Sequence, residues 1–156
     1  MRRIERVLTE GEKKLARSVF GPAIDYALVR IVRGKWFPFQ PRNVAMAPMG
    51  NIHFHPEGPL WSDDFSIENR SLQALFLHEM THVWQTQTRG LFYLPLMRHP
   101  FCSYSYRLRL GRPFGRYGLE QQAEIVRDLF LLRGGGVPRH PVRRDELEAL
   151  IPFRGD

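Results

Sequence analysis

Apolar residues recur along this chain with two different periods, and the change between them marks out its elements. From about residue 69 the spacing is helical. Leu72, Phe76, Met80 and Val83 fall on one stripe, and Gly90 supplies a stop. A second helical run, 119–132, has Ala123, Ile125, Val126, Leu129 and Phe130 as its apolar positions, and Gly134-Gly135-Gly136 and Pro138 break it. A shorter helix is predicted over 10–20. Thr9 and Glu12 stand there at capping-box spacing, Leu15, Val19 and Phe20 form the apolar side, and Gly21-Pro22 ends it. Residues 145–151 predict a last helical turn or two.

The strand signals are shorter. Residues 26–32 are rich in β-branched and aromatic side chains and read as a strand. Residues 43–47 and 51–55 read as two more, with the turn signal Pro48-Met49-Gly50 between them. Residues 34–41 and 56–64 read as loops. The stretch 91–118 reads as irregular, with Pro95, Pro100, Pro113 and many aromatics. There is no repeat and no domain boundary. The order of helix, small sheet, helix, loop and helix is that of an α+β fold, a single domain spanning 1–156.

Composition narrows the chemistry. A chain of 156 residues with 43% hydrophobic content suits one compact domain with its own core. Cys102 is the only cysteine, so an internal disulfide and a four-cysteine metal site are both excluded. Any metal must be held by His, Asp or Glu. No apolar run approaches a membrane span. The basic start Arg2-Arg3-Ile4-Glu5-Arg6 leads into no apolar signal segment. The expectation is a cytoplasmic protein, or one exported by a secretion machine that needs no signal peptide. The formal charge is +7, and ten arginines between Arg98 and Arg144 face only Glu120, Glu124 and Asp128. A solvated basic face is the expectation there. Nucleic-acid binding has charge alone behind it, with no signature of a known module.

One motif carries chemistry: His78-Glu79-Met80-Thr81-His82, an HExxH sequence inside the predicted helix. Residues four apart share a helical face, so both imidazoles can reach one metal ion. Glu79 points to the flank of that face, where it can touch a metal-bound water without being a ligand. A catalytic zinc takes a third protein ligand, and none follows closely in Thr86-Gln87-Thr88-Arg89-Gly90-Leu91. The next candidates are His99 and Glu120. Glu120 is favoured by its ligand chemistry and its place on a regular helix. Glu124 lies one turn beyond it, able to orient a ligand imidazole by hydrogen bond. Ala123 is small enough for two helices to approach closely there. His53 and His55 alternate on a strand and could form a second metal pair, although surface histidines are the commoner outcome. The strand that carries them could line a cleft and pair with an extended peptide. Tyr93, Tyr104, Tyr106 and Tyr117 stand between motif and third ligand. One of them, with Tyr117 as the selection, could stabilise an oxyanion, while packing is the ordinary role for each.

With these residues in place the chain resembles the gluzincin branch of zinc metallopeptidases, in which a glutamate on a later helix completes an HExxH helix. More narrowly, Asn51-Ile52-His53-Phe54-His55 followed by Phe76-Leu77-His78-Glu79-Met80-Thr81-His82-Val83-Trp84-Gln85 is similar to short bacterial zincin-like domains. These include Vgr-related proteins and domains associated with contractile injection systems. The resemblance implies a minimal zincin-like fold, a small sheet packed with an active-site helix and a ligand helix. It differs in carrying Glu124 where better-known members carry Asp, and in a short cleft-building segment.

Two functions follow as expectations. The first is a zinc-dependent metallopeptidase acting on a peptide or protein substrate. In it His78, His82 and Glu120 hold Zn2+, and Glu79 is the general base toward a zinc-activated water. The second is a zincin-fold binding or adaptor module with a secretion-system protein as partner, and with little or no proteolysis. The arginine- and aromatic-rich stretch 98–116 motivates it.

Overall fold

The computed structural model describes residues 2–99 and 101–156; Met1 and Pro100 lie outside it. The first strand, β1 (Ile4–Val7), leads directly into helix α1 (Glu10–Phe20). Thr9 caps that helix reciprocally. Its Oγ1 accepts from the Glu12 amide at 3.0 Å, and Glu12 Oε2 accepts from the Thr9 amide at 2.9 Å. Glu12 is wholly buried and spends its remaining capacity on long-range partners. Arg6 grips both its oxygens at 2.8 Å, and Oε1 also accepts from the Phe65 amide at 2.9 Å. One satisfied carboxylate therefore ties β1, α1 and the turn at Phe65–Ile67 together.

Strands β2 (Arg30–Arg33) and β3 (Ile52–Phe54) complete a sheet of order β1-β2-β3. The first pair is antiparallel, with Ile4 opposite Arg33; the second is parallel, with Ile31 opposite Ile52. The predicted strand over 26–32 divides in two. Asp25 accepts the Ala27 amide and caps a 3-10 turn at Tyr26–Leu28, and the strand begins only after it. The predicted strand at 43–47 contracts to one antiparallel bridge, Met46 with His53. Gln40 explains the contraction. Its Nε2 donates to the carbonyls of Val44 and His53 at 2.9 and 3.0 Å, taking the place of ladder amides.

Helix α2 (Arg70–Arg89) begins on Asn69, whose side chain accepts the Leu72 amide, and ends at Gly90 with φ 100°. Inside the stretch expected to be irregular, a short helix α3 (Tyr93–Met97) forms. Helix α4 (Leu119–Arg133) packs along α2, and α5 (Arg144–Leu150) covers α4. The stripe Phe76, Met80 and Val83 is buried, as are Ala123, Ile125, Val126 and Leu129 facing it. Phe54, Phe65 and Phe76 stack in sequence with centroids 5.1 and 5.4 Å apart, joining the sheet to α2. The result is a mixed α+β domain in which α2 runs through the middle. None of its described helices is long and apolar enough to cross a membrane.

Candidate metal centre

His78 and His82 project from α2 toward the first turn of α4, where Glu120 meets them. All three are at least 96% buried. Glu120 Oε2 lies 3.4 Å from His78 Nε2 and 3.3 Å from His82 Nε2. Ligands at about 2.0–2.1 Å around a tetrahedral zinc stand about 3.3–3.4 Å from one another, so these edges are those of a cation cradle. Among the described residues this is the one His, Cys, Asp and Glu group whose donor atoms converge in this way.

The far side of the His82 imidazole settles which of its nitrogens carries the proton. Gln85 Nε2 donates to the Leu119 carbonyl at 2.9 Å and to Gln122 Oε1 at 3.0 Å. That fixes the amide so that Gln85 Oε1 meets His82 Nδ1 at 2.8 Å. An amide oxygen only accepts, so Nδ1 carries the proton. In the neutral ring, Nε2 then presents its lone pair to Glu120. His78 has its Nδ1 3.0 Å from Glu124 Oε1. This is a close ionic approach off the line of a hydrogen bond, since the nitrogen makes none. Both oxygens of Glu120 are likewise buried without a hydrogen bond. Arg98 Nε approaches Oε1 at 3.4 Å. The His82 lone pair turned toward one buried point, with carboxylate oxygens unsatisfied beside it, is what a bound cation would relieve. The donor set fits a metal ion.

Electrostatics are shaped by the same contacts. Burial alone would lower His78, but Glu120 and Glu124 outweigh it and the imidazole is pushed up to about 9. Burial would raise Glu120, yet His82 and His78 hold it well below the usual carboxylate range. Glu124 is held down too, against its burial, by His78, Arg139 and Arg127. Glu79 goes the other way. It is 4% exposed, burial raises it despite the nearby histidines, and it accepts no hydrogen bond from the described residues. Raised and unengaged, it faces a cleft of about 320 Å³.

That cleft brings together residues that sequence separates. Besides His78, Glu79, His82 and Glu124 it is lined by residues 43–45, Arg98, Tyr104, Arg127 and Arg139. Tyr104 stacks over His78 with centroids 6.2 Å apart and planes 11° apart, and its hydroxyl accepts from Arg98 at 3.1 Å. Tyr117 lies elsewhere. Its hydroxyl accepts the Arg109 amide at 3.0 Å, and it borders a larger, more apolar groove of about 730 Å³ between 108–117 and α5, away from the histidines. Tyr106 donates to Asp128 at 2.7 Å. His99 is exposed, and its Nδ1 accepts the Phe101 amide. His53 and His55 form no ligand cluster; His53 is buried against Trp36, and His55 Nδ1 accepts the Glu57 amide. The cleft edge is the segment 43–45; β3, which carries His53, does not line it.

Gln85, Gln122, Arg98, Arg127 and Arg139 were not singled out from sequence. Gln85 left one signal. It is a polar residue three positions after His82, on the helical face that carries the two histidines.

Fold and site define a small α+β domain with a buried two-histidine, one-glutamate cluster able to hold a metal ion. No protein-family model matches the chain. The solved effector domain of Pseudomonas aeruginosa VgrG2b superposes with a TM-score of 0.72 at 41% identity. The match covers 83% of this chain and 75% of that domain. The type VI secretion system spike protein VgrG2b of the same organism is 42% identical over 133 residues. These are 81% of this chain and 13% of that protein, so the chain spans a small fraction of the spike's length. The chain belongs to the family of the VgrG2b effector domain.

Proposed function

We propose that this chain is an effector domain of a type VI-like secretion apparatus, and that the chemistry it delivers is zinc-dependent peptide hydrolysis on a minimal zincin-like fold. Kinship to an effector domain of a secretion spike supports the first half, with a spike component as partner and export by that machine. One observation carries the second. Glu120 Oε2 lies at ligand-to-ligand spacing from the Nε2 atoms of both His78 and His82, with Gln85 accepting from the outward nitrogen of His82 and Glu124 3.0 Å from that of His78.

His78, His82 and Glu120 would hold the metal. Zinc bound there would polarise a peptide carbonyl and make a bound water acidic. Glu79, raised by burial and unengaged, would take the proton of the attacking water and return it to the leaving amine. Residues 43–45 form an edge along which an extended peptide can lie. Tyr104, rather than Tyr117, is the tyrosine whose hydroxyl stands in the cleft, beside Arg98.

The test is zinc content and peptide-library cleavage for wild type, Glu79→Gln and Glu120→Ala. The expected result is about one zinc per wild-type chain. Glu79→Gln should keep zinc and lose cleavage by at least about 100-fold, and Glu120→Ala should lose zinc. A zinc-loaded wild type that cleaves nothing would leave the second reading, a binding module carried by the same apparatus. That reading is favoured by the spike kinship itself.

A further inference from the structure

We propose that Arg127 and Arg139 form a carboxylate-binding subsite of the cleft, so that the peptide it takes carries an anionic carboxylate close to the bond presented to the metal. The proposal rests on the peptidase reading and adds a substrate class to it.

Both guanidiniums line the same cleft as His78 and Glu79. Arg127 stands on α4 one turn beyond Glu124, and Arg139 comes from the loop after that helix. They share a single carboxylate partner, and poorly. Glu124 Oε1 is 3.7 Å from Arg127 Nη1 and 3.3 Å from Arg139 Nη1. The same oxygen already serves His78 Nδ1 at 3.0 Å. Three cationic or donor groups thus compete for one oxygen. Each guanidinium offers five donors in a rigid fork suited to a carboxylate. Arg127 Nε is buried with no hydrogen-bond partner, and the Arg139 side chain is 53% exposed. Two guanidiniums held at one point, with donors unused, are a costly way to neutralise a single glutamate.

Charge balance argues the same way. In and beneath the cleft, Arg98, Arg127 and Arg139 balance Glu79, Glu120 and Glu124. A divalent cation on the cluster leaves two positive charges in excess, in a partly enclosed site that strengthens the field. An incoming carboxylate restores balance. Its position follows from the site. The metal cradle is on the Nε2 side of His78 and the arginines are on the Nδ1 side, one imidazole away. One residue of extended peptide, about 3.3–3.6 Å of backbone, with its side chain covers that span. The carboxylate is an acidic side chain or a chain terminus; the chemistry of the fork is the same for both.

The probes are four peptides that begin with a hydroxamate group to seat on zinc. They end in Glu or Gln, each as free acid and as amide, and are titrated calorimetrically into the zinc-loaded full chain. Expected is about tenfold tighter binding for at least one carboxylate-bearing probe than for the Gln amide. Which one binds tighter identifies side chain or terminus. The preference should vanish in Arg139→Gln and in Arg127→Gln, with zinc content and Gln-amide affinity unchanged. Equal affinity of all four probes for wild type overturns the subsite and leaves the metal reading standing. So does a loss in the arginine variants that falls on the Gln amide as heavily as on the acids, because the arginines would then only support the site. A wild type that takes up no zinc overturns the peptidase reading and the subsite with it.

Discussion

Gln85 shows how much of a candidate metal centre can depend on a residue outside the ligand set. Its amide is oriented by two donations, to Leu119 and Gln122, and so its oxygen can only accept from His82. Gln122 is held in turn by donating to the Tyr117 carbonyl at 2.8 Å. Replacing Gln85 with Leu keeps the volume and removes the acceptor, freeing His82 to adopt the other tautomer. Zinc affinity should fall by about 10–100-fold, while the unfolding midpoint of the metal-free protein moves little. Competition with a chromogenic chelator measures the first and denaturant titration the second. Unchanged affinity would mean that His82 needs no orienting partner. At this scale the sequence was legible wherever the contact is local. His78 and His82 are four residues apart on one helix, with Glu79 next to the first, and that spacing alone puts both imidazoles on one face. Glu120 was favoured over His99 by ligand chemistry and its place on a regular helix, and Glu124 by lying one turn beyond it. Gln122, Arg98 and Arg139 could not, and Tyr104 could not be chosen among the four candidate tyrosines, because their roles arise only where separate segments meet at α2. Tyr117 shows the limit from the other side. Sequence distance put it near the site, and the turn at Phe114–Arg116 directs it to Arg109 instead.

Elements were legible in proportion to their length. The helices over 10–20, 70–89 and 119–133 follow from periodicity, caps and glycine stops, all of which act within a few residues. The strands are three or four residues long, too short for an alternating pattern to outweigh one capping side chain such as Asp25 or one bridging amide such as Gln40. The partner of β2 along its antiparallel edge, β1, carries no strand signal beyond its charge-rich sequence, and α3 begins among prolines. Gly11 exposes how tightly these short pieces are fitted. It lies in the first turn of α1, where alanine is normally the better residue by about 0.5–1 kcal/mol. Here an added Cβ would overlap Ser66 Oγ and lie 2.8 Å from Ser66 Cβ, with the Ser66 hydroxyl donating to Asp64 at 2.6 Å. Gly11→Ala should therefore destabilise the domain by about 1–3 kcal/mol. In a Ser66→Gly background the same change should be neutral or stabilising. Urea unfolding of the four proteins gives the coupling. Equal effects in both backgrounds would show that α1 does not seat on the 65–67 turn in this way.

For the molecule as a whole, a cation held as proposed would make the cluster a cross-link. Two ligands come from α2 and one from α4, segments 38 residues apart between His82 and Glu120, and this helix pair is the center of the core. Without a cation, Glu120 is left with both oxygens buried and without hydrogen bonds beside the lone pair of His82. That arrangement strains the contact it should secure. A metal that binds only the folded state adds about 4 kcal/mol when present at 1,000 times its dissociation constant. For a domain of this size each kcal/mol moves the melting temperature by about 2–4 °C. If zinc fills the cluster as proposed, stripping it with a chelator should thus lower Tm by about 8–16 °C, and added zinc should restore it. Glu120→Gln should keep the fold and lose most of this response, because the helices remain packed through Ala123, Val126 and Met80 while the third ligand is gone. Amide exchange should localise the change. Protection should fall first around residues 78–86 and 119–124, where the cluster sits, and last in β1 and β2, which reach it only through the core. A Tm indifferent to chelator, or a Glu120→Gln protein that answers zinc as the wild type does, would mean that no metal bridges α2 and α4, and the cluster would then be a buried ion-pair network holding two helices by charge alone.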